Sequence, residues 1–209
     1  MISTKHITFQ YPNGELFHMP DIFCTAGNTL LITGNSGRGK TTYLHILAGI
    51  LRPKSGEIEI DNTNTVALSE RKNDFFRGKN IGIVFQKPYF IASLNVLENL
   101  EMTSWLANGN KNSITANKLL SELGLFEYAS KLLSQLSVGQ QQRFSIARAL
   151  INKPKVLLAD EPTSSLDDKN AETVIELLTT LSKEYKAALI IVTHDSRIKS
   201  KFHNQITMI

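Results

Sequence analysis

The stretch that most restricts what this chain can fold into is Gly34-Asn35-Ser36-Gly37-Arg38-Gly39-Lys40-Thr41, which fits the P-loop pattern G-x-x-x-x-G-K-[ST]. Thr29-Leu30-Leu31-Ile32-Thr33 runs into it, short, apolar and branched, and reads as a buried strand. Thr42 to Ala48 runs out of it, with Tyr43, Ile46 and Leu47 at helical spacing. The glycines therefore stand on a strand-to-helix turn. Gly34, Gly37 and Gly39 let the backbone close into a ring of amide donors where a Cβ would block the dihedrals or a phosphate's approach. The helix start adds partial positive charge at the same point. Lys40 supplies a full charge for β- and γ-phosphates, and Thr41 offers a hydroxyl to Mg2+. An ordinary Gly-rich loop is the competing explanation, and the lysine and both flanks weigh against it.

At 209 residues the chain is one large domain or one domain with a lobe. The formal net charge is only +4, with Lys and Arg scattered, so no nucleic-acid partner is expected. One cysteine, Cys24, cannot form an internal disulfide, which permits a cytoplasmic setting. No apolar run approaches the roughly 18 residues of a spanning helix. The first residues lack the apolar core of a secretion signal, so a membrane role needs something else to hold the protein there.

Along the chain, Ile7 to Tyr11 and Glu15 to Met19 read as a hairpin about Pro12-Asn13-Gly14. Tyr11 either stacks on an adenine face or packs within that hairpin. Glu57 to Ile60 reads as a strand, Asp61 to Asn80 as polar and hard to read except for Phe75-Phe76, and Ile81 to Phe85 as a buried strand. Gln86 follows, where parallel sheets present ligand-contacting groups, or is a plain loop residue. From about Lys87 to Asn152 helical periodicity takes over, which suggests a helical lobe set into an α/β core. Asn95 caps a helix through Met102, and Ile114 to Leu123 is a second, stopped by Gly124. Tyr89-Phe90-Ile91 serves either a partner or the core. Ser137 and Gln140 form a second capping box at a helix start, an anion-attracting point that Gly139 leaves open. Val156 to Ala159 is an unbroken apolar strand ending in Asp160-Glu161. Acids there are costly without work or partners: Asp160 suits Mg2+ support and Glu161 suits polarising a water. Asp168 to Glu184 is a helix, Ala188 to Thr193 a core strand ending at His194, and Ile206 to Ile209 an edge strand.

Taken in order, Gln86, Leu136-Ser137-Val138-Gly139-Gln140, Val156 through Glu161, Ser165-Leu166-Asp167 and His194 resemble the ATP-binding-cassette ATPases, over nearly the whole chain. The Ser137–Gln140 motif ahead of the Asp-Glu strand discriminates them from other P-loop proteins. The resemblance implies an α/β fold: a P-loop core with a mainly parallel sheet, an N-terminal antiparallel β subdomain and an inserted α-helical subdomain. Residues 1–86 and 153–209 are then the nucleotide-binding core and 87–152 the helical part. It further implies ATP and Mg2+ as cofactors. Tyr11 stacks on adenine, Gly34 to Thr42 (with Asn35, Ser36, Arg38 and Thr42 among them) hold the phosphates, and Thr41, Gln86 and Asp160 serve the metal. Glu161 is the general base, with Gln86 and His194 completing the catalytic set, and Asp167 is an interface aspartate. Ser137, Gly139 and Gln140 reach the nucleotide of a second copy. The family usually has Gly where Val138 stands, so Val138 tunes that approach.

In that family two such domains pack head to tail, as a homodimer or with a related ATPase subunit, and ATP holds the pair closed. The chain is similar to the small ATPase subunits of the lipoprotein-release, macrolide-export and cell-division type, although Ser164-Ser165 departs from their common Gly-Asn. This implies an integral membrane permease as partner and a peripheral place on the inner face of the cell membrane. A soluble DNA-repair or translation ATPase is the alternative. Those types carry a coiled-coil insertion or two cassettes, and neither stands in this sequence. A silent nucleotide-binding regulator is a third, against which Glu161, Gln86 and His194 argue.

Overall fold

A computed structural model describes residues 1–35, 37–164 and 166–208. Ser36, Ser165 and Ile209, which carry parts of three expectations above, lie outside the described residues.

The chain opens with an antiparallel sheet. β1 (Ile2–Gln10) pairs with β2 (Leu16–His18), β3 (Phe23–Cys24) and, further along the chain, β5 (Ser55–Ile60), which pairs with β6 (Thr63–Asn64). The hairpin stands as expected, but β1 starts five residues early. The cause is a bulge between Lys5 and Thr8, with His6 at φ 52°. Buried positions run Ile2, Thr4 before it and Ile7, Phe9 after it. The alternation changes phase there, so the first half of the strand does not continue the pattern of the second.

The second sheet is parallel throughout, in the order β10-β4-β9-β8-β7. β4 is Thr29–Thr33, β7 Ile81–Val84, β8 Val156–Asp160, β9 Ala188–Thr193 and β10 Gln205–Thr207. β4, β8 and β9 are apolar without alternation because both faces are covered. Leu31, Leu157, Ala159, Leu189 and Ile191 face one apolar cluster. Leu30, Ile32, Val156, Leu158, Ile190 and Val192 face the other. The first cluster takes in α3 (Val96–Asn108), α4 (Ser113–Glu122), α5 (Val138–Leu150) and α6 (Asp168–Glu184). The second joins α1 (Lys40–Leu47) to the antiparallel sheet.

Two helices differ from expectation. α2 (Glu70–Asn80) fills much of the stretch that had no period, because it buries no residue. It is held by polar bonds: Asn73 Nδ2 and Arg77 NH1 each donate to the Gly49 carbonyl at 3.0 Å, and Arg77 pairs with Asp74 at 2.6 Å. α3 runs six residues past Met102. Its extension buries only small groups, Ser104 and Ala107, while Leu106 is exposed, so no apolar stripe marks it. A short α7 (Ser196–Lys199), which the sequence reading lacks, follows β9.

Because all five strands of the second sheet are parallel, their carboxyl ends lie along one edge. Thr33 is level with Thr193, Val192 with Asp160 and Ala159 with Val84. Open parallel sheets bind ligands at that edge.

Candidate functional site

The loop leaving β4 has Gly34, Gly37 and Gly39 at φ 154°, 82° and 80°. Gly39 caps α1 in a left-handed conformation, a place where a side chain is strained. At Gly34 the limit is also space, since a Cβ would stand 2.7 Å from the Met208 carbonyl oxygen. The loop ends in Lys40, only 7% exposed, whose ammonium donates to the Asn35 carbonyl at 3.0 Å. An ammonium has three donors, so this one is drawn into the loop with capacity for anionic oxygens. Asn35 and Arg38 are exposed on the rim. The Thr42 hydroxyl lies 3.1 Å from the Tyr11 hydroxyl, and the Tyr11 ring stands edge-on to Phe9 at 4.7 Å. Tyr11 therefore packs in the hairpin and also reaches α1, with 43% of its surface open.

One residue past Lys40, the Thr41 hydroxyl donates to Asp160 Oδ1 at 3.1 Å. Asp160 ends β8 and is 3% exposed. Burial pushes its carboxyl above the ordinary carboxylate value, the Thr41 bond opposes this, and the neighbouring Glu161 adds to the push. A hydroxyl and a buried carboxylate are both oxygen donors, the kind a hard divalent cation takes.

Glu161 leaves β8 at φ 46°, a left-handed value that costs a non-glycine residue about 1 kcal/mol or more. The turn is held by its amide, which donates to the Val192 carbonyl at 2.8 Å. It carries the side chain under β9. There Thr193 Oγ1 donates to Oε2 at 2.7 Å, the His194 amide donates to Oε1 at 3.1 Å, and His194 Nδ1 lies 2.6 Å from Oε1. The carboxylate is fixed in one orientation and 7% exposed. His194 faces Glu161 at Nδ1 and leaves its other nitrogen outward. A ring protonated at both nitrogens can then donate to both the carboxylate and an outside anion, which a neutral ring cannot.

Gln86 follows β7 by two residues, with Nε2 3.4 Å from the Ser164 hydroxyl. Gln86, Ser164, Glu161, Pro162, Gln142 and Val138 line a small cavity of about 90 Å³. Gln142 Nε2 donates to the Pro162 carbonyl at 3.0 Å, so α5 is tied to the segment after Glu161. At the amino end of α5 the expected capping box is present. The Gln140 amide donates to Ser137 Oγ at 3.3 Å and the Ser137 amide to Gln140 Oε1 at 2.8 Å. Gly139 approaches Asn170 of α6, and Asp167 caps α6 by accepting from the Asn170 amide at 2.9 Å. Of Tyr89-Phe90-Ile91, the outer two are exposed and Phe90 packs on the first apolar cluster. Sequence reasoning missed Thr193, Ser164 and Gln142 as site groups. Thr193 alone carried a signal, as the last residue of a core strand beside His194.

The family model of the ABC transporter matches residues 19–164. The chain belongs to the ABC transporter family. It is 33% identical over 214 residues to the lipoprotein-releasing system ATP-binding protein LolD of Shewanella frigidimarina, spanning 100% of this chain and 90% of that one. The LolD of Bacteroides fragilis is 36% identical over 211 residues, spanning 100% and 98%. Among solved structures, a dimeric post-hydrolysis state of the ATP-binding cassette MJ0796, bound to ADP and Pi, superposes with a TM-score of 0.88. It is 33% identical, over 100% of this chain and 94% of that one. The cbiO1 of Clostridium perfringens, part of the ABC transporter complex cbiONQ, gives 0.86 at 29% identity, over 99% and 84%. As an ABC cassette of the LolD type, the chain is a transporter's ATP-binding subunit and an ATP hydrolase. These likenesses do not favour a repair or translation ATPase.

Proposed function

We propose that the chain binds Mg2+ and ATP at Gly34–Thr42, hydrolyses the nucleotide between two cassettes, and so drives a separate integral membrane permease from the inner face of the membrane. The observation that carries the reading is the pairing at the end of β8: Asp160 on Thr41, next to Lys40, with Glu161 held by Thr193 and His194. In this reading the amides of residues 34–42, Ser36 included, cradle the phosphates, and Tyr11 meets the adenine. Lys40 neutralises the β- and γ-oxygens. Thr41 and Asp160, with the Gln86 side chain, hold the cation. Bound Mg2+ supplies charge neutralisation for the oxygens of the transferring group.

Glu161 takes the proton of the water that attacks the γ-phosphorus. As the new P–O bond forms, the bond to ADP breaks and ADP leaves as an anion. His194, held by Glu161 at one nitrogen, donates from the other to the γ-phosphate. Ser137, Gly139 and Gln140 complete the site from a second copy or a related subunit, because γ-phosphate bound from both sides favours the closed pair. Residues 87–152 act as the helical subdomain that carries them, and 1–86 with 153–209 as the nucleotide-binding core.

The permease reading draws on the lipoprotein-releasing system of the LolD relatives, on the transporter complex of which cbiO1 is part, and on exposed Tyr89 and Ile91 after β7. Among the described residues no helix is long and apolar enough to cross a membrane, so the proposal assigns the spanning role to the partner. No nucleic-acid partner is proposed. The test is sedimentation of Glu161→Gln at saturating Mg2+ and ATP. A dimer that dissociates when ATP is removed is expected; a monomer would overturn the cycle.

A further inference from the structure

The stretch from Pro162 to Asp168 runs from the end of β8 into α6, and the stretch from His194 to Arg197 runs from the end of β9 into α7. They are braced together by bonds from residues just past Glu161 and His194. The Thr163 hydroxyl, fully buried, donates to Asp195 Oδ2 at 2.8 Å. Arg197 Nε donates to Asp195 Oδ1 at 2.9 Å and Arg197 NH2 to Oδ2 at 2.7 Å, a two-pronged pair. The remaining guanidinium donors reach across. NH1 donates to Asp168 Oδ1 at 2.6 Å and to the Leu166 carbonyl at 3.4 Å, and NH2 to the Thr163 carbonyl at 3.4 Å. One guanidinium thus holds three points of the 162–168 segment and the residue next to His194.

We propose that Arg197 is a positioning residue that locks the Asp167-bearing segment to the His194 segment, so that movement at one is passed to the other. The inference rests on the proposed roles of Glu161, Asp167 and His194. The geometry of the donors is what the role requires. A planar fork fixes direction as well as distance, which a lysine cannot reproduce. The guanidinium also holds the Asp195 carboxyl well below the usual carboxylate range, so the pair is charged at neutral pH. The Asp168 arm is 88% exposed and contributes little to folding, whereas the Asp195 carboxyl is only 9% exposed and also takes the buried Thr163 hydroxyl, so loss of its guanidinium partner costs the fold as well. Loss of the Asp168 arm therefore isolates the effect on the closed pair and on turnover, while loss of Arg197 adds a cost to the fold.

The experiment compares Glu161→Gln with Glu161→Gln/Arg197→Ala and Glu161→Gln/Arg197→Lys by sedimentation across an ATP titration. Both double variants are expected to need about tenfold more ATP for half-dimerisation, a coupling of ordinary size between linked sites. In the otherwise unaltered chain, Arg197→Ala is expected to lower kcat and Tm with KM for ATP unchanged, and exposed Asp168→Asn to lower kcat with Tm unchanged. Equal midpoints in Glu161→Gln and its Arg197→Ala double variant overturn the inference while leaving the proposed function intact. A monomeric Glu161→Gln overturns the proposed function and the inference with it. Should Arg197→Ala fail to fold, the lock was structural and the inference fails, unless exposed Asp168→Asn, which removes one arm only, shifts the midpoint in the same direction in a folded chain.

Discussion

The carboxyl ends of β8 and β9 and the amino end of α5 are built in opposite ways. At β8 and β9 the working groups are buried and bonded across strands: Asp160 on Thr41, Glu161 on Thr193 and His194. At α5, Ser137 and Gln140 bond each other, and Val138 between them is 59% exposed. A group fixed by buried partners is set before a substrate arrives. A capped helix end open to solvent attracts anions and offers that attraction outward. The contrast suggests that one end acts on the chain's own nucleotide and the other on a neighbour's.

Three substitutions sharpen or break this contrast. The largest effect belongs to Glu161→Gln, which keeps the shape and removes the base. Phosphate release is expected to fall by about 10²- to 10⁴-fold, the usual worth of a positioned base, with ATP binding retained. Loss of binding in parallel with turnover would make Glu161 a binding group.

Asp160→Asn comes next. Burial holds this acid's folded pKa above its unfolded value, so its charge costs the nucleotide-free fold as pH rises through the folded pKa. The amide variant is therefore expected to melt higher than the parent at neutral pH without nucleotide, the gap closing on acidification. It should also lose Mg2+-dependent turnover. A lower Tm at neutral pH would show that the carboxylate stabilises the empty site.

The smallest effect is at the exposed end. Val138→Gly restores the residue common in the family at a position with open surface. The ATP midpoint for pairing is expected to move by about twofold, as exposed substitutions usually do. A tenfold shift would mean that Val138 sits within the contact.

Much of this was legible in the sequence, and the residues show why. β4, β8 and β9 are continuous apolar runs because a parallel sheet is covered on both faces, and α6 shows the stripe Ala171, Val174, Ile175, Leu178 and Leu181, each buried. Motif order then placed Lys40, Asp160, Glu161 and His194 at the strand exits. What failed to show was structure held by polar bonds. α2 leaves no residue fully buried, setting only half-buried Phe76 against the second apolar cluster while bonding the Gly49 carbonyl, and the first half of β1 is hidden by the bulge at His6. The bracing of the site was hidden for the same reason. Thr193 on Glu161 spans 32 residues of sequence, and Arg197 on Asp168 spans 29. No local period records such a pairing.

The claim that each site joins two chains is tested most directly by mixing two inactive ones. Lys40→Ala spoils only the phosphate loop and Ser137→Arg only the helix end, so each chain alone has a defect in every site. If sites form between chains, a mixed pair gathers both defects into one site and leaves the other whole. Turnover absent from either protein alone is then expected on mixing them. If mixing leaves turnover at the level of the separate proteins, under conditions where the mixed pair is seen to form with ATP, the shared site is contradicted.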